Sequence, residues 1–175
     1  MKIITFQHKN ILNDLKKNGV YYAKHDSEFK KNTPKCYKMV FDNIEKKDPK
    51  ATDPIFGWKR VFTSGDLEIN SETIRRCMEM TGFDEKEYLL FELEIDDKEV
   101  SVQNFYNFVD ARCEEEGIDP YYIEFEDFPF DCIFETKVGE LQCTFTALRR
   151  ENVKNVYEYS LNKERQYEIK KLNFL

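Results

Sequence analysis

Six polar and aromatic side chains offer the most chemistry in this sequence. They are Thr5, Gln7, Tyr37, Trp58, Gln142 and Thr144. Hydroxyl and amide groups both donate and accept hydrogen bonds, and aromatic rings provide apolar walls for flat ligands. The set therefore predicts a ligand-binding pocket, which we expect around Thr5, Gln7, Trp58 and Gln142. No catalytic residue is identified among them.

The sequence contains none of the common patterns of enzyme or metal sites. It has no glycine-rich phosphate loop, no closely spaced cysteine or histidine ligands, and no recognisable nucleophile with its base. Its two histidines, His8 and His25, have no partner at metal-ligand spacing. Cys143 stands between Gln142 and Thr144 and is expected on the opposite face of its strand. These features favour binding over catalysis and predict no metal and no cofactor.

Two alternatives that involve no ligand are open for the same residues. The amides of Gln7 and Gln142 can bond to each other or to backbone groups between neighbouring strands. Trp58 alternates with Phe56 along a strand-like run, and both rings can belong to the core. Gly57 between them permits another group to approach the backbone closely.

Composition indicates one globular domain. The 175 residues are 41% hydrophobic, which is enough for a single core. We expect that core within residues 1–160, with 161–175 as a peripheral C-terminal segment.

The net charge of −7 argues against general nucleic-acid binding, which needs a basic face. Five widely spaced cysteines are typical of reduced thiols, and no segment resembles a signal peptide or a membrane span. We therefore expect a soluble, cytoplasmic protein.

Hydrophobic periodicity predicts alternating strands and helices. Strands are expected over residues 2–7, 20–23, 54–62, 87–95, 140–148 and 153–159. Helices are expected over residues 10–19, 33–47, 70–82 and 101–117. A turn is expected at 63–66, and a strand or helix within 163–175. This pattern predicts an α+β domain with a mixed or mostly antiparallel twisted sheet of five or more strands and three or four flanking helices.

The segment 119–136 has no clear secondary-structure pattern. Within it, residues 124–131 alternate acids with aromatic residues. Such a run can seat a basic protein partner, or it can be a solvated rim whose rings pack inward.

The order of the motifs resembles domain of unknown function 3841, an uncharacterised bacterial and phage family. Thr5, Gln7, Leu15 and Gly19 are similar to the family's opening Trp-Thr-x-Gln strand and its Leu and Gly helix end. Residues 36–40 resemble its Ala-Tyr-x-Trp-Met helix, and residues 54–58 resemble its Pro-Ile-Trp-x-Trp strand. Residues 141–145 resemble its Ile-Gln-Ala-Thr-Phe strand. The chain departs from the pattern where the family has Ser-Asp and Trp-His, because residues 100–110 contain no histidine.

The order strand, helix, strand, with a polar residue on the first strand and Gln-x-Thr at residues 142–144 of a late one, resembles the layout of ADP-ribosyltransferases. This resemblance implies that Thr5 or Gln7 holds a nicotinamide nucleotide, that Tyr37 or Trp58 stacks on its ring, and that Gln142 lies on the catalytic strand. Thr144 stands where that fold places a glutamate, and a hydroxyl cannot supply the negative charge. NAD is the cofactor that this alternative requires.

These observations predict a small intracellular binding or regulatory protein of bacterial, phage or mobile-element origin, with a nucleotide ligand or a protein partner. The alternative is an NAD-using ADP-ribosyltransferase-like enzyme, or a degenerate nucleotide-binding relative of one. A carboxylate in the pocket, for example that of Glu92 or Glu94, would favour the enzyme.

Overall fold

The computed structural model describes residues 1–24, 33–60, 68–81, 86–118, 129–135 and 140–174. The strands are β1 (Lys2–His8), β2 (Val20–Tyr21), β3 (Ile55–Arg60), β4 (Tyr88–Glu94), β5 (Val100–Asn104), β6 (Glu140–Phe145), β7 (Leu148–Arg149), β8 (Val153–Leu161) and β9 (Tyr167–Leu172). The helices of the described residues are α1 (Ile11–Asn18), α2 (Lys35–Lys47), α3 (Ser71–Thr81) and α4 (Phe105–Glu116).

Seven strands form one antiparallel sheet in the order β5-β6-β3-β1-β4-β8-β9. β2 and β7 form a separate two-stranded antiparallel sheet. The predicted α+β single domain, with a mostly antiparallel sheet of five or more strands and three or four helices, is therefore confirmed.

Helices cover both faces of the large sheet. On the α1 face, Ile11 and Leu15 of α1 pack in one cluster with Ile3, Phe91 and Phe145 of the strands. This arrangement follows from the period of two along a strand, which sends successive side chains to opposite faces.

The other face, which we call the α4 face, carries two smaller clusters. At one end, Ile74 and Cys77 of α3 pack with Ile4, Phe6 and Leu90 of the strands. At the other end, α2 and α4 form a layer that includes Cys36, Val40, Phe108, Ala111, Cys132 and Ile133. The sheet therefore lies between α1 on one side and three helices on the other.

Gly57 marks a close approach between β3 and its neighbours. A Cβ atom added there would lie 2.6 Å from Ile3 Cγ2, 2.8 Å from the Ile4 carbonyl oxygen and 3.3 Å from Phe145 Cε1. Contacts this short cannot be accommodated without displacing strand β1. The close approach that the sequence suggested at Gly57 is thus made by protein groups on the α1 face.

One predicted helix is wrong at its start. The structure pairs Val100–Asn104 with β6 as an edge strand, and α4 begins only at Phe105. Ser101 therefore does not begin a helix, and Val102 is not part of a helical stripe. Asn104 ends the strand and caps α4, since its Oδ1 accepts hydrogen bonds from the backbone N–H groups of Tyr106 at 3.0 Å and Asn107 at 3.3 Å.

Smaller differences concern element boundaries. α2 begins one residue after Pro34, which makes no capping hydrogen bond, and the Glu115 carboxylate accepts from the Cys36 N–H at 3.3 Å. The expected strand over 140–148 is broken between β6 and β7. The C-terminal segment contributes β9, an edge strand of the large sheet. The expected turn at 63–66, the helix end at Gly82 and residues 119–128 lie outside the described residues.

Among the described residues, no helix combines the length and the apolar character needed to span a membrane.

Candidate functional site

A row of three side chains crosses the α4 face at the β5 end of the sheet. Gln103 on β5 is paired with Gln142 on β6, and Gln142 is paired with Trp58 on β3. Directly paired residues of antiparallel strands point to the same face, with Cβ atoms about 5 Å apart. The strand register therefore brings two amides and an indole side by side.

Hydroxyl groups surround the first of these amides. Gln103 Nε2 donates hydrogen bonds of 3.0 Å to Ser101 Oγ and of 3.0 Å to Thr144 Oγ1. Thr144 Oγ1 in turn donates to the Ser101 carbonyl oxygen at 3.4 Å. Gln103 and Thr144 are both 0% exposed. This small network fixes the orientation of the Gln103 side chain.

Two atoms of the paired amides lack hydrogen-bond partners. Gln103 Oε1 and Gln142 Nε2 are buried, and neither bonds to any group of the structure as described. Gln142 is only 6% exposed. A buried donor or acceptor without a partner costs about 1–3 kcal/mol. The row thus holds one unmet acceptor and one unmet donor on adjacent strands.

An aromatic wall adjoins the two amides. Trp58 is only partly buried, and its ring contacts Phe105 edge-on with 5.0 Å between ring centroids. Phe105 occupies the first position of α4, directly after the Asn104 cap, and it also contacts Tyr106 at 5.9 Å. The cap of α4 therefore decides where the Phe105 ring lies over Trp58.

Tyr37 lies next to this row but belongs to the helical layer. Its ring contacts Phe56 of β3 at 5.9 Å and Phe108 of α4 at 5.0 Å, and the Arg112 guanidinium lies 5.5 Å from its centroid. Burial, followed by the nearby Cys36, raises the pKa of Tyr37. Tyr37 is therefore a neutral ring that supports the wall through Phe56.

Thr5 and Gln7 lie on the opposite side of the sheet. Ile4 is paired with Trp58, so Thr5 and Gln7 point to the α1 face. There, Gln7 Nε2 donates to Thr5 Oγ1 at 2.7 Å, and Thr5 Oγ1 donates to the Phe56 carbonyl oxygen at 2.6 Å.

The structure brings Trp58, Gln142 and Thr144 together beside Tyr37, and it separates Thr5 and Gln7 from them. The expectation of a single pocket around Thr5, Gln7, Trp58 and Gln142 is wrong for the first two.

The two glutamates named as pocket carboxylates are engaged elsewhere. Glu92 is paired with Ile4, which places it two strands, or about 10 Å, from Trp58. Its Oε2 accepts hydrogen bonds from Asn155 Nδ2 at 2.5 Å and from the Tyr157 hydroxyl at 3.2 Å. Glu94 is exposed and forms a 3.1 Å ion pair with Lys154, which lowers its pKa.

The buried thiols are protonated at neutral pH. Burial raises the pKa of Cys143 to about 12, that of Cys36 to about 12 and that of Cys132 to about 11. Cys143 lies in the α1-face cluster, on the other side of β6 from Gln142, as its sequence position predicted. A thiol with so high a pKa is a poor nucleophile.

His8 is engaged at the far end of β1. There, its Nδ1 accepts from the Asn10 N–H at 3.2 Å and its Nε2 lies 3.8 Å from Glu87. His25 and residues 124–128 of the acidic run lie outside the described part of the chain. Within that part, no three His, Cys, Asp or Glu side chains are grouped as metal ligands.

Sequence analysis missed Gln103 and Ser101. Both lie in a segment that was predicted to be a helix. In a helix, the alternation of polar residues with valines does not define a face. Read as a strand, Val100–Asn104 places Ser101 and Gln103 on one face and the valines on the other. Asn107 lies in α4, and its Nδ2 donates to the Cys132 carbonyl oxygen at 2.8 Å, a partner distant in sequence that no local pattern indicates.

No protein-family model matches the chain, and neither the curated proteins nor the solved structures give a significant match. The resemblances to domain of unknown function 3841 and to ADP-ribosyltransferases therefore stay predictions.

Proposed function

We propose that this chain is a small-molecule-binding protein with a binding or regulatory role, whose ligand is a flat ring that carries a hydrogen-bond donor beside an acceptor. Nucleobases and the carboxamide-bearing ring of nicotinamide have such an edge. The observation that carries the proposal is the pair of unmet buried atoms, Gln103 Oε1 and Gln142 Nε2, on directly paired positions beside Trp58.

The chemistry of the two atoms defines the ligand. An N–H of the ligand's edge, on the ring or on an attached amide or amino group, donates to Gln103 Oε1, while a neighbouring carbonyl or ring nitrogen accepts from Gln142 Nε2. Each new bond removes the cost of a buried group without a partner, so the free energy of binding includes relief of that cost.

Entry of the ligand occurs from the side of Trp58. Trp58 and Phe105 are partly exposed, whereas the amides behind them are buried. The Phe105 ring covers the indole edge-on, and it moves aside to admit the ring to the Trp58 face. Gln142, which lies between Trp58 and Gln103 in the register, is the first amide that the ligand meets.

Binding has more support than catalysis. Thr144, at the position of the transferase glutamate, is buried and bonded to Gln103, and Glu92 is held by Asn155 and Tyr157. The neighbouring thiols are protonated at neutral pH. The NAD-using enzyme is thus less well supported than a relative that binds the nucleotide without turning it over.

A thermal-shift screen tests the proposal. The purified chain is heated with NAD, nicotinamide mononucleotide, AMP, GMP or UMP, because a ligand that binds only the folded state raises the melting temperature. We expect a shift with at least one of these compounds and loss of that shift in Gln142→Leu. The matched control is Gln166→Leu, which changes an exposed glutamine near β9. The absence of any shift at millimolar concentration, or an equal shift in Gln142→Leu, would refute the proposal.

A further inference from the structure

A groove of about 870 Å³ lies on the α1 face, between α1 and the β8–β9 hairpin, and is separate from the Trp58 row. One wall is a helical stripe of Lys9, Leu12, Asn13 and Lys16. Their spacing of i, i+3, i+4 and i+7 places these side chains on one side of α1 and the turn before it.

Leucine side chains form the base of the groove. Leu12 and Leu172 are partly buried and pack against the α1-face core, and Leu89 of β4 belongs to that core. An apolar side chain of a partner that packs against them is removed from water, which favours binding.

The α1 wall has an excess of positive charge. Lys9 and Lys16 are exposed, and neither forms an ion pair with any described carboxylate. Lys9 Nζ donates only to the Lys86 carbonyl oxygen, at 3.0 Å. On the opposite wall, Lys170 lies 3.7 Å from Glu158, and Glu168 leaves that wall with one negative charge in excess. The groove is therefore basic on one side of an apolar base, on a chain whose net charge is −7.

We infer that this groove docks a short acidic segment of a partner protein, with one or two apolar side chains on the leucine base and carboxylates against Lys9 and Lys16. The two lysines are about 10 Å apart along the helix axis, which matches three or four residues of an extended chain. A nucleic-acid strand fits less well, because a phosphate backbone has no apolar group for the leucine base and meets only two lysines on the α1 wall.

Fluorescence polarisation tests the inference directly. The probe is a labelled peptide that alternates glutamate with leucine, and the comparison probe has glutamine in place of each glutamate. We expect the acidic peptide to bind the full chain, the glutamine peptide to bind more weakly, and added salt to reduce the difference.

Charge-reversed variants locate the binding surface. Lys9→Glu combined with Lys16→Glu should weaken binding of the acidic peptide by roughly tenfold or more. Lys38→Glu combined with Lys46→Glu, two exposed lysines of α2, makes the same change in net charge away from the groove and should leave the affinity unchanged. Should the first variant melt at a lower temperature than the wild type, Lys9→Gln with Lys16→Gln replaces it.

Three outcomes would overturn the inference. They are no binding of the acidic peptide, equal loss of affinity in both variant pairs, and tighter binding of a single-stranded oligonucleotide than of the peptide through Lys9 and Lys16. The thermal-shift test of the Trp58 row is independent of all three, since it concerns the other face of the sheet.

Discussion

At the scale of single residues, Gln103 and Gln142 are identical side chains in different situations. The amide nitrogen of Gln103 bonds to Ser101 and Thr144, whereas that of Gln142 bonds to nothing in the described structure. The amide nitrogen of Gln103 therefore contributes hydrogen bonds to the folded state, and that of Gln142 contributes none within the described structure.

This difference gives a prediction on stability. Gln142→Met removes an unmet donor while keeping the side-chain volume, so we expect the free energy of unfolding to stay the same or rise by about 1 kcal/mol. Gln103→Met leaves the Ser101 and Thr144 hydroxyl oxygens without their donor, so it should lower the free energy of unfolding by about 1–3 kcal/mol. Urea denaturation followed by circular dichroism measures both changes. A loss of more than about 1 kcal/mol in Gln142→Met would mean that Gln142 has a structural partner.

The residues of the site were only partly predictable. Trp58, Gln142 and Thr144 were identified because amides, hydroxyls and a tryptophan stand out within apolar strands. Their grouping with Thr5 and Gln7 failed because the face of β1 depends on its register with β3, and a shift of one residue exchanges the two faces. Register is set by contacts far apart in sequence, so local pattern cannot supply it.

At the scale of elements, the junction of β5 and α4 positions the aromatic wall. The chain changes from a period of two to a period near 3.6 at Asn104, whose side chain caps the helix. Valine and phenylalanine at 100, 102, 105 and 108 mimic a helical stripe, which is why the sequence favoured one long helix. Pairing with β6 decides the outcome for 100–104, and that pairing is a tertiary effect.

Removal of the Asn104 cap should change both the stability of the protein and the position of Phe105 at the site. Asn104→Ala removes the acceptor for two backbone N–H groups and should lower the free energy of unfolding by about 1 kcal/mol. Because Phe105 follows the cap directly, the fluorescence spectrum of Trp58 should change as well. Asn104→Asp retains the acceptor and should restore both properties. If Asn104→Ala left the spectrum unchanged, α4 would not fix the position of Phe105.

At the scale of the whole molecule, the sheet buries thiols on both of its faces. Cys143 belongs to the cluster on the α1 face, and Cys36 and Cys132 belong to the cluster that α2 and α4 form on the other face. Burial raises the pKa values of these three groups to about 11 or 12, from an ordinary value of 9.0. At pH values above 9 and below about 11 or 12, these thiols are therefore ionised in the unfolded chain but still protonated in the folded chain.

The sign of the pH dependence follows from this difference. A raised thiol pKa stabilises the folded state fully below pH 9, and stability falls as the pH rises from about 9 towards 12. We expect the urea concentration at the midpoint of unfolding to decrease steadily above pH 9. In Cys143→Ala the same concentration should decrease less with pH. An identical slope in wild type and variant would show that Cys143 is not the group responsible.

The proposed ligand ring lies against the face of Trp58 with its edge towards the two amides, and the fluorescence of Trp58 measures this binding most directly, because Trp58 is the chain's one tryptophan. The measurement is a titration with nicotinamide mononucleotide, AMP, GMP and UMP, each compared with a derivative whose edge N–H groups are methylated. We predict saturable quenching by at least one unmodified compound, little quenching by its methylated form, and loss of the response in Gln142→Leu. Equal quenching by both forms, or none by either, would contradict the account.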